Sequence, residues 1–488
     1  KQQGKRLIHC HGVFDLLHVG HIKHLALAKK LGDVLVVTLT PDRFVNKGPG
    51  RPVFNEALRA EALAALACVD YVAINQWPTA IETIKRLKPD VYVKGVEYKD
   101  AAKDITGKIT DEELAVREAG GRLEFTDDIT FSSSHLINRH AAIFPENVRE
   151  YLSAFVRLHG KTEVLAYLEH ARDLKVLVIG ETIIDEYQYC MAIGKSSKEP
   201  TLVVKSLSTE KFAGGILAVA NHVANFCDHV TVLTALGDIH PQEDFVRAHV
   251  NGKVRQLLLR RKDAPTIVKR RLIEQYFFTK MIEVYEINDV DLDDQDNQIF
   301  CDTLAKEVAS HDLVIVVDYG HGLLSREAIK LLCEKSKFLA VNAQANAGNL
   351  GYHTISMYPR ANYVTITENE IRLEARSRRG DLRKMVGDVA GKLACERFIV
   401  TRGSNGCLCY DKKTGFVEVP AFAGKVVDRI GAGDAFLSIT AMCAVQQAPM
   451  DVIGFIGNAA GAQAVATVGN KEPVGHVALL KQIETLLK

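Results

Sequence analysis

Along the first 140 residues, short apolar runs alternate with stretches whose apolar positions recur every three or four residues. LIHCHGV (7–13), DVLVVTL (33–39), Tyr71–Ile74 and DVYVKG (90–95) have the length and β-branched content of strands. Between them the spacing predicts helices from about Val19 to Leu31, from about Asn55 to Ala67, and after Pro78. Strands alternating with helices predict a parallel, doubly wound sheet, because parallel neighbours need a crossover. A second α/β pattern opens sharply at KVLVIGE (175–181). PENVREYLSAFVRLHGKTEVLAYLEHARDL (145–174) lies between the two and is polar and helix-prone. The expected organisation is therefore a domain over 1–142, a helical connector over 143–173 packed on a domain, and a second domain over 174–488.

Composition narrows the field. A chain of 488 residues exceeds one ordinary core, and 47% hydrophobic with 25% charged residues suits globular domains. The formal net charge of +1 gives no support to nucleic-acid or membrane electrostatics, so anionic ligands must be held by local sites. The ten cysteines lack a disulfide framework or metal spacing, and Cys407-x-Cys409 reads as a structural pair on a strand. No apolar run reaches the roughly 18 residues of a membrane span, and KQQGKRLIHCHG carries no signal-peptide core. The chain opens on Lys1 and not on Met, which leaves room for residues ahead of it. Reduced thiols and a cytoplasmic location are the expectation.

The strongest local feature of the first domain is GVFDLLHVGH (12–21). A strand ends near Val13, a turn carries Phe14–Leu17, and a helix starts near Val19. His18 and His21 then stand at a helix amino end, where free N–H groups and the dipole favour phosphate. Gly20 between them allows close backbone approach, and the imidazoles can donate to charge building on an α-phosphoryl group. Two capping or buried histidines are the plainer alternative.

Those residues resemble the cytidylyltransferase-like nucleotidyltransferases, the part of the family with glycerol-phosphate cytidylyltransferases and heptose-phosphate adenylyltransferases. The likeness continues through HIKHLALAKKLGDVLVVTLTPD (21–42), Lys47 with GRPV (50–53), NEALRAEAL (55–63), LKPDVYVKGVEYK (87–99) and FSSSHLIN (131–138). It implies that His18, His21 and Lys47 are catalytic, and that Gly12, Phe14, Asp15, Gly20, Arg59, Ser132 and Ser133 line the nucleotide. Arg59 is read as a second cation or a helix-surface charge. Asp15 and Asp42 are read as touching the acceptor or orienting the histidines, and Lys94 as a phosphate or acceptor contact. The acceptor's phosphate attacks in line and pyrophosphate leaves, so no covalent nucleophile is needed.

In the second domain, VVDRIGAGDAF (426–436) places Gly431, Ala432 and Gly433 in a tight turn ahead of a helix, with Asp434 at its mouth. Such a turn makes an anion hole, and the carboxylate can take the proton of an attacking hydroxyl. A glycine turn with an Asp cap is the plainer alternative. The segment resembles the signature of ribokinase-like (PfkB) sugar kinases, as do KVLVIGETIIDEY (175–187), KFAGGILAVANHVANF (211–226), APTIVKRRLI (264–273), VVDYGHG (316–322) and FIVTRGSNG (398–406). The resemblance implies a ribokinase-like α/β fold with Asp185, Gly214, Gly215, Lys269 and Arg271 on the substrate side. Thr401 and Gly403 fall on the nucleotide side, and Glu370 is a weak metal candidate. Three positions depart from the family: Ala218 where an Asn is usual, Asn342 where an acidic residue is common, and Thr367-x-x-Glu370 in place of Asn-x-x-Glu.

Together the two domains resemble bifunctional heptose enzymes that phosphorylate a heptose phosphate and then transfer AMP to it, with the domain order reversed. The implied ligands are ATP and Mg²⁺ at the kinase site and ATP or CTP at the other. A sugar phosphate is the implied substrate, with no nucleic-acid or membrane partner and a homo-oligomer on family grounds. A polyol-phosphate cytidylyltransferase, or an active transferase with a silent kinase-like module, are the alternatives.

Overall fold

The computed structural model describes residues 4–45, 47, 51–98, 108–126, 144–349 and 351–488. They form two compact units, Lys1–Ser153 with Val477–Lys488, and Ala154–His476. The dividing point falls inside the helix Glu146–Leu158, which is followed by the helix Lys161–Glu169.

The first unit is built on β1 (Leu7–Gly12), β2 (Val34–Leu39), β3 (Tyr71–Ile74), β4 (Val91–Gly95) and β5 (Arg122–Thr126). Their order is β3-β2-β1-β4-β5, and every pairing is parallel. Period-two alternation sends Ile8, Cys10, Val91 and Val93 into one core with Leu25, Leu35 and Leu63, while Tyr92 enters another with Ile84 and Val116. The strand order reverses between β1 and β4. That crevice, at the carboxyl ends of the strands, is where such sheets take ligands.

The second unit holds two sheets. The larger has nine strands in the order β10-β9-β6-β13-β14-β15-β16-β17-β18. These are β6 (Lys175–Gly180), β9 (His229–Ile239), β10 (Arg255–Pro265), β13 (Leu313–Asp318), β14 (Leu339–Ala343), β15 (Tyr363–Thr367), β16 (Arg397–Thr401), β17 (Cys407–Asp411) and β18 (Gly415–Val419). Pairing is parallel from β10 to β16 and antiparallel beyond. Val314, Val316, Leu339, Val341 and Val364 are fully buried, the run of apolar residues that a sheet covered on both faces requires. Helices Ala432–Val445 and Met450–Ala464 are buried on nearly all sides and form part of that cover.

The smaller sheet, β12-β11-β7-β8, comprises β7 (Thr182–Lys195), β8 (Leu202–Gly215), β11 (Ile267–Glu274) and β12 (Thr279–Glu286). Its inner ends are buried, but Ile193, Leu202, Leu207, Ile282 and Val284 stand exposed on it. The ten cysteines are all free thiols, and no helix among the described residues is long and apolar enough to cross a membrane.

Candidate active sites

In the first unit β1 ends at Gly12, and the chain turns through Phe14 in the left-handed region (φ 48°). A β-carbon on Gly12 would lie 3.1 Å from the Phe14 ring, so glycine lets the ring fold back. His18 is the N-cap of the helix Val19–Lys29, its Nδ1 accepting from the Gly20 N–H at 3.1 Å. The His18 and His21 rings stack at 3.9 Å, with Phe14 edge-on to His21. Burial lowers both pKa values, and His21 falls to about 3, with His18, Lys47 and His24 adding to the effect. Both rings are neutral at pH 7, so each presents one N–H and one lone pair. Lys47 is lowered to about 8, first by burial and then by Arg51.

The acidic and basic residues around this turn are already matched. Asp15 is buried, ion-pairs with Arg51 at 2.5 Å and accepts from the Val53 N–H. Arg59 is not a helix-surface charge: it is buried, and its guanidinium donates to the carbonyls of Val13, Phe54 (3.0 Å) and Thr40 (2.9 Å). It also pairs with Asp42 at 2.6 Å. With four donors facing protein acceptors, Arg59 braces the ends of β1 and β2. Asp42 and Glu56 exchange backbone-to-carboxylate bonds of 2.8 and 3.0 Å, which fixes the second helix start.

Lys94, at the end of β4, pairs with Glu112 at 2.8 Å, between the rings of Tyr92 and Tyr98. Glu112 also accepts from the Tyr92 hydroxyl. His9 and His11 both hydrogen-bond Thr38 Oγ1 at 2.8 Å, and His24 Nδ1 lies 2.6 Å from Thr126 Oγ1. These histidines escaped the sequence reading, although the alternation of His9 and His11 on β1 could have placed those two on one face. Ser132 and Ser133 lie outside the described residues.

In the second unit Gly431 is the N-cap of the helix Ala432–Val445, which carries Asp434 in its first turn. Gly431 has φ 80°, and a β-carbon there would fall 1.9 Å from Asn470 Oδ1. At Gly433 a β-carbon would meet nothing within 4 Å, so the helix mouth is open. Asp434 accepts from the Tyr319 hydroxyl at 3.0 Å. Burial pushes its carboxyl up to about 6 against that hydrogen bond, and Asp185 adds to the rise while Lys269 opposes it.

Asp185, on β7, pairs with Arg271 and accepts from Asn470 Nδ2 at 3.2 Å. Gly214 passes so close that a β-carbon would sit 2.2 Å from Asp185 Oδ2, and Gly215 has φ 53°. Arg271 also binds Glu283 at 2.9 Å, and the Lys269 ammonium lies 5.1 and 5.4 Å from the rings of Tyr285 and Tyr319. Asp434, Asp185, Gly214, Lys269 and Arg271 thus share one neighbourhood. Behind it, Glu181 accepts from the N–H groups of Tyr319 and His321 at 3.0 and 2.9 Å. Its carboxyl is raised to about 7, by burial and then by Asp318. Asp318 takes the Tyr358 hydroxyl and His353. Sequence reasoning quoted VVDYGHG and VVDRIGAGD without singling out Tyr319, Glu181, Asp318 or Asp428.

The departures from the kinase pattern have local explanations. Thr367 and Glu370 form a reciprocal capping box on the helix Glu368–Glu374. The two Glu370 oxygens accept from the N–H groups of Thr367 (2.7 Å) and Ala345 (3.0 Å), which gives Glu370 a capping role. Asn342 ties β14 to β15 by donating to the Thr365 carbonyl at 2.7 Å, and Ala218 is buried in the helix Ile216–Ala224. Thr401 pairs with Thr367 across β15 and β16, and Gly403 (φ 58°) follows it at the same carboxyl edge. Among the described residues no group of three or more His, Cys, Asp or Glu gathers to hold a metal ion.

Two α/β units, each with a glycine turn leading into a helix amino end at the carboxyl edge of a parallel sheet, define a tandem of phosphate-handling transferase folds. The pfkB family carbohydrate kinase profile matches residues 173–475, and the cytidylyltransferase-like profile matches residues 9–147. The chain belongs to the pfkB carbohydrate kinase family and carries a cytidylyltransferase-like domain ahead of the kinase domain. The bifunctional protein HldE of Syntrophotalea carbinolica is 41% identical over 142 residues, 28% of this chain and 28% of that protein. HldE of Geobacter metallireducens is 43% identical over 145 residues, with the same shares. The chain thus spans little more than a quarter of the length of these curated relatives. Phosphofructokinase-2 of Escherichia coli, solved in complex with potassium, shares the fold at 15% identity. Its TM-score is 0.52, over 64% of this chain and 100% of that one.

Proposed function

We propose that the chain is a bifunctional enzyme of nucleotide-sugar synthesis. Its kinase domain phosphorylates a sugar phosphate, a heptose phosphate by preference, using ATP. Its first domain transfers a nucleotidyl group from a nucleoside triphosphate to the 1-phosphate of a sugar and releases pyrophosphate. The observation that carries this reading is Asp434, held by Tyr319 at an open helix mouth beside Asp185 and Lys269. There the carboxylate takes the proton of the attacking sugar hydroxyl, while the N–H groups of Ala432–Asp434 receive charge from the transferred phosphoryl group. Asp185, Lys269 and Arg271 orient the sugar, Lys269 and Arg271 bringing the positive charge a sugar phosphate needs. In the first domain neutral His18 and His21 donate to the α-phosphoryl oxygens, Lys47 neutralises phosphate, and Lys94 meets the acceptor. The match to HldE proteins over the amino-terminal part supports the pairing.

Both families use ATP and typically Mg²⁺. The described residues offer no protein cage for Mg²⁺, which fits an ion carried by the nucleotide's own phosphates and held by few protein groups. Handling of nucleoside triphosphates and ten free thiols support a cytoplasmic setting. The exposed apolar residues of the smaller sheet support self-association.

The test measures ADP and pyrophosphate release over a panel of sugar phosphates, with ATP and CTP compared at the first site and Asp434→Asn run beside the unaltered chain. ADP formation lost in Asp434→Asn, with pyrophosphate release from supplied sugar 1-phosphates retained, is the expected result. The second reading, a transferase carrying a silent kinase domain, is favoured by Glu370 being committed to its cap. Equal ADP formation by both proteins, at background, would establish it.

A further inference from the structure

Asp428, six residues before Asp434, is buried, yet four donors from four segments converge on its carboxylate. The Tyr187 hydroxyl (β7) reaches Oδ2 at 2.6 Å and the Gly469 N–H reaches it at 3.0 Å. The Ile430 N–H donates to Oδ1 at 3.2 Å, and the Lys280 ammonium from β12 binds the same oxygen. Lys280 also lies 5.7 Å from the Tyr187 and Phe278 rings, which limits its freedom. A second strut runs parallel: Asn470 donates to Asp185 on β7 while its Oδ1 packs against Gly431.

Tyr187 and Asp185 are two apart on β7 and so share a face. The strand that presents the substrate-side carboxylate is thus tied twice to the turn that presents Asp434.

We propose that Lys280, Asp428 and Tyr187, with Asn470 as a second strut, form a latch by which the smaller sheet sets the Gly431–Asp434 turn, making Lys280 a positioning residue for phosphoryl transfer. The kinetic side of this inference rests on the kinase reading above; the structural side does not. Lys280 is spent on Asp428 and the two rings and so acts through the turn. Its charge compensates a buried carboxylate whose other oxygen and backbone partners fix the turn, and a charge-assisted bond of this kind is stronger and more directional than a neutral one. Without the ammonium the carboxylate is left buried with neutral donors only, and the turn relaxes toward a geometry that hydrates it. Displacement of Asp434 or the adjacent N–H groups by even a fraction of an ångström slows an in-line transfer.

The experiment uses the full chain and two independent readouts, backbone hydrogen exchange over Ile430–Asp434 and ADP formation from ATP with hexose and heptose monophosphates. In Lys280→Met, exchange in that segment rises about tenfold while the outer part of the smaller sheet is unchanged. kcat falls about tenfold with KM for ATP within about twofold, because positioning and not binding is lost. Ethylammonium added to Lys280→Met recovers part of the rate, and Lys280→Arg keeps most of it. Tyr187→Phe, which removes one hydroxyl, gives a smaller change in the same direction and serves if Lys280→Met does not fold. Exchange over Ile430–Asp434 within about twofold of the unaltered protein in both variants would overturn the latch. So would a rise spread evenly over the whole unit, or a complete failure of ethylammonium to restore rate. If the unaltered protein phosphorylates none of the sugar phosphates, the kinase reading fails, and the exchange result alone decides the latch.

Discussion

Arg59 in the first unit and Asp428 in the second stand behind comparable turns but carry opposite charges. Arg59 gathers the carbonyls of Val13, Thr40 and Phe54 and the carboxylate of Asp42. Asp428 gathers two N–H groups, a hydroxyl and an ammonium. On the proposed reading each turn holds N–H groups outward for an anion, which leaves polar backbone behind it to be satisfied within the protein. In the first unit that backbone offers mainly acceptors, so a guanidinium with five donors suits. In the second it offers donors, so a carboxylate suits. The sign of the brace is set by which half of the peptide group is left facing inward, and it does not report the charge of the ligand.

The front groups differ in kind as well, neutral imidazoles in one site and a raised carboxyl in the other, and this gives the largest test of the comparison. Asp434→Asn is expected to lower sugar phosphorylation by about 10²–10⁴-fold while leaving pyrophosphate release from the first domain intact. His21→Ala should do the reverse, lowering transfer by about 10²–10³-fold, as the loss of a preorganised donor does. Assays of the two half-reactions on the same preparations check both, and cross-talk between them would break the picture of independent front groups.

Removing a brace acts on stability. Arg59→Met leaves Asp42 and three carbonyls without their donor, and a loss of about 3–5 kcal/mol is expected. Denaturant unfolding should show it in the first unit's transition alone.

The pH profiles come next. If Asp434 takes the hydroxyl proton as proposed, kinase kcat/KM should fall as pH drops below about 6, where its carboxyl takes up a proton. The first domain should show no limb from His21, which stays neutral down to about 3. Its rate should instead decline above about pH 8 as Lys47 loses its charge. An acid limb near 6 on the transferase would contradict the neutral imidazoles.

The smallest effect belongs to the cap. Thr367→Ala is expected to cost about 1 kcal/mol in thermal or denaturant unfolding without altering the Mg²⁺ dependence of phosphorylation. A shifted Mg²⁺ requirement would return Thr367-x-x-Glu370 to the metal.

Much of this was legible in the chain itself. The alternation of apolar runs and helical spacing anticipated the parallel sheet of the first unit and the α/β restart at KVLVIGE. The glycine turns located His18, His21 and Asp434, because a helix start after Gly leaves a local mark. The smaller sheet was not anticipated: β7, β8 and β12 are long, carry charged residues and expose apolar ones, so period-two burial is blurred. The pairings of Arg59 with Val13, Lys280 with Asp428 and Asn470 with Asp185 were also hidden. They join positions 46, 148 and 285 apart in sequence, and side-chain burial decides them, which spacing does not reveal. The capping role of Glu370 was hidden for a different reason, since a carboxylate three residues after Thr serves a helix end as readily as an ion.

The contact of Gly214 with Asp185 constrains how this site can change over evolutionary time. With 2.2 Å from a would-be β-carbon to Oδ2, the carboxylate occupies space that any other residue at 214 would claim. Neither position can be exchanged freely while the other stays: a side chain at 214 expels the acid, and a shorter residue at 185 strands Arg271. A descendant that alters either residue must change both together or pass through a damaged intermediate, so the pair acts as a ratchet on this corner of the fold.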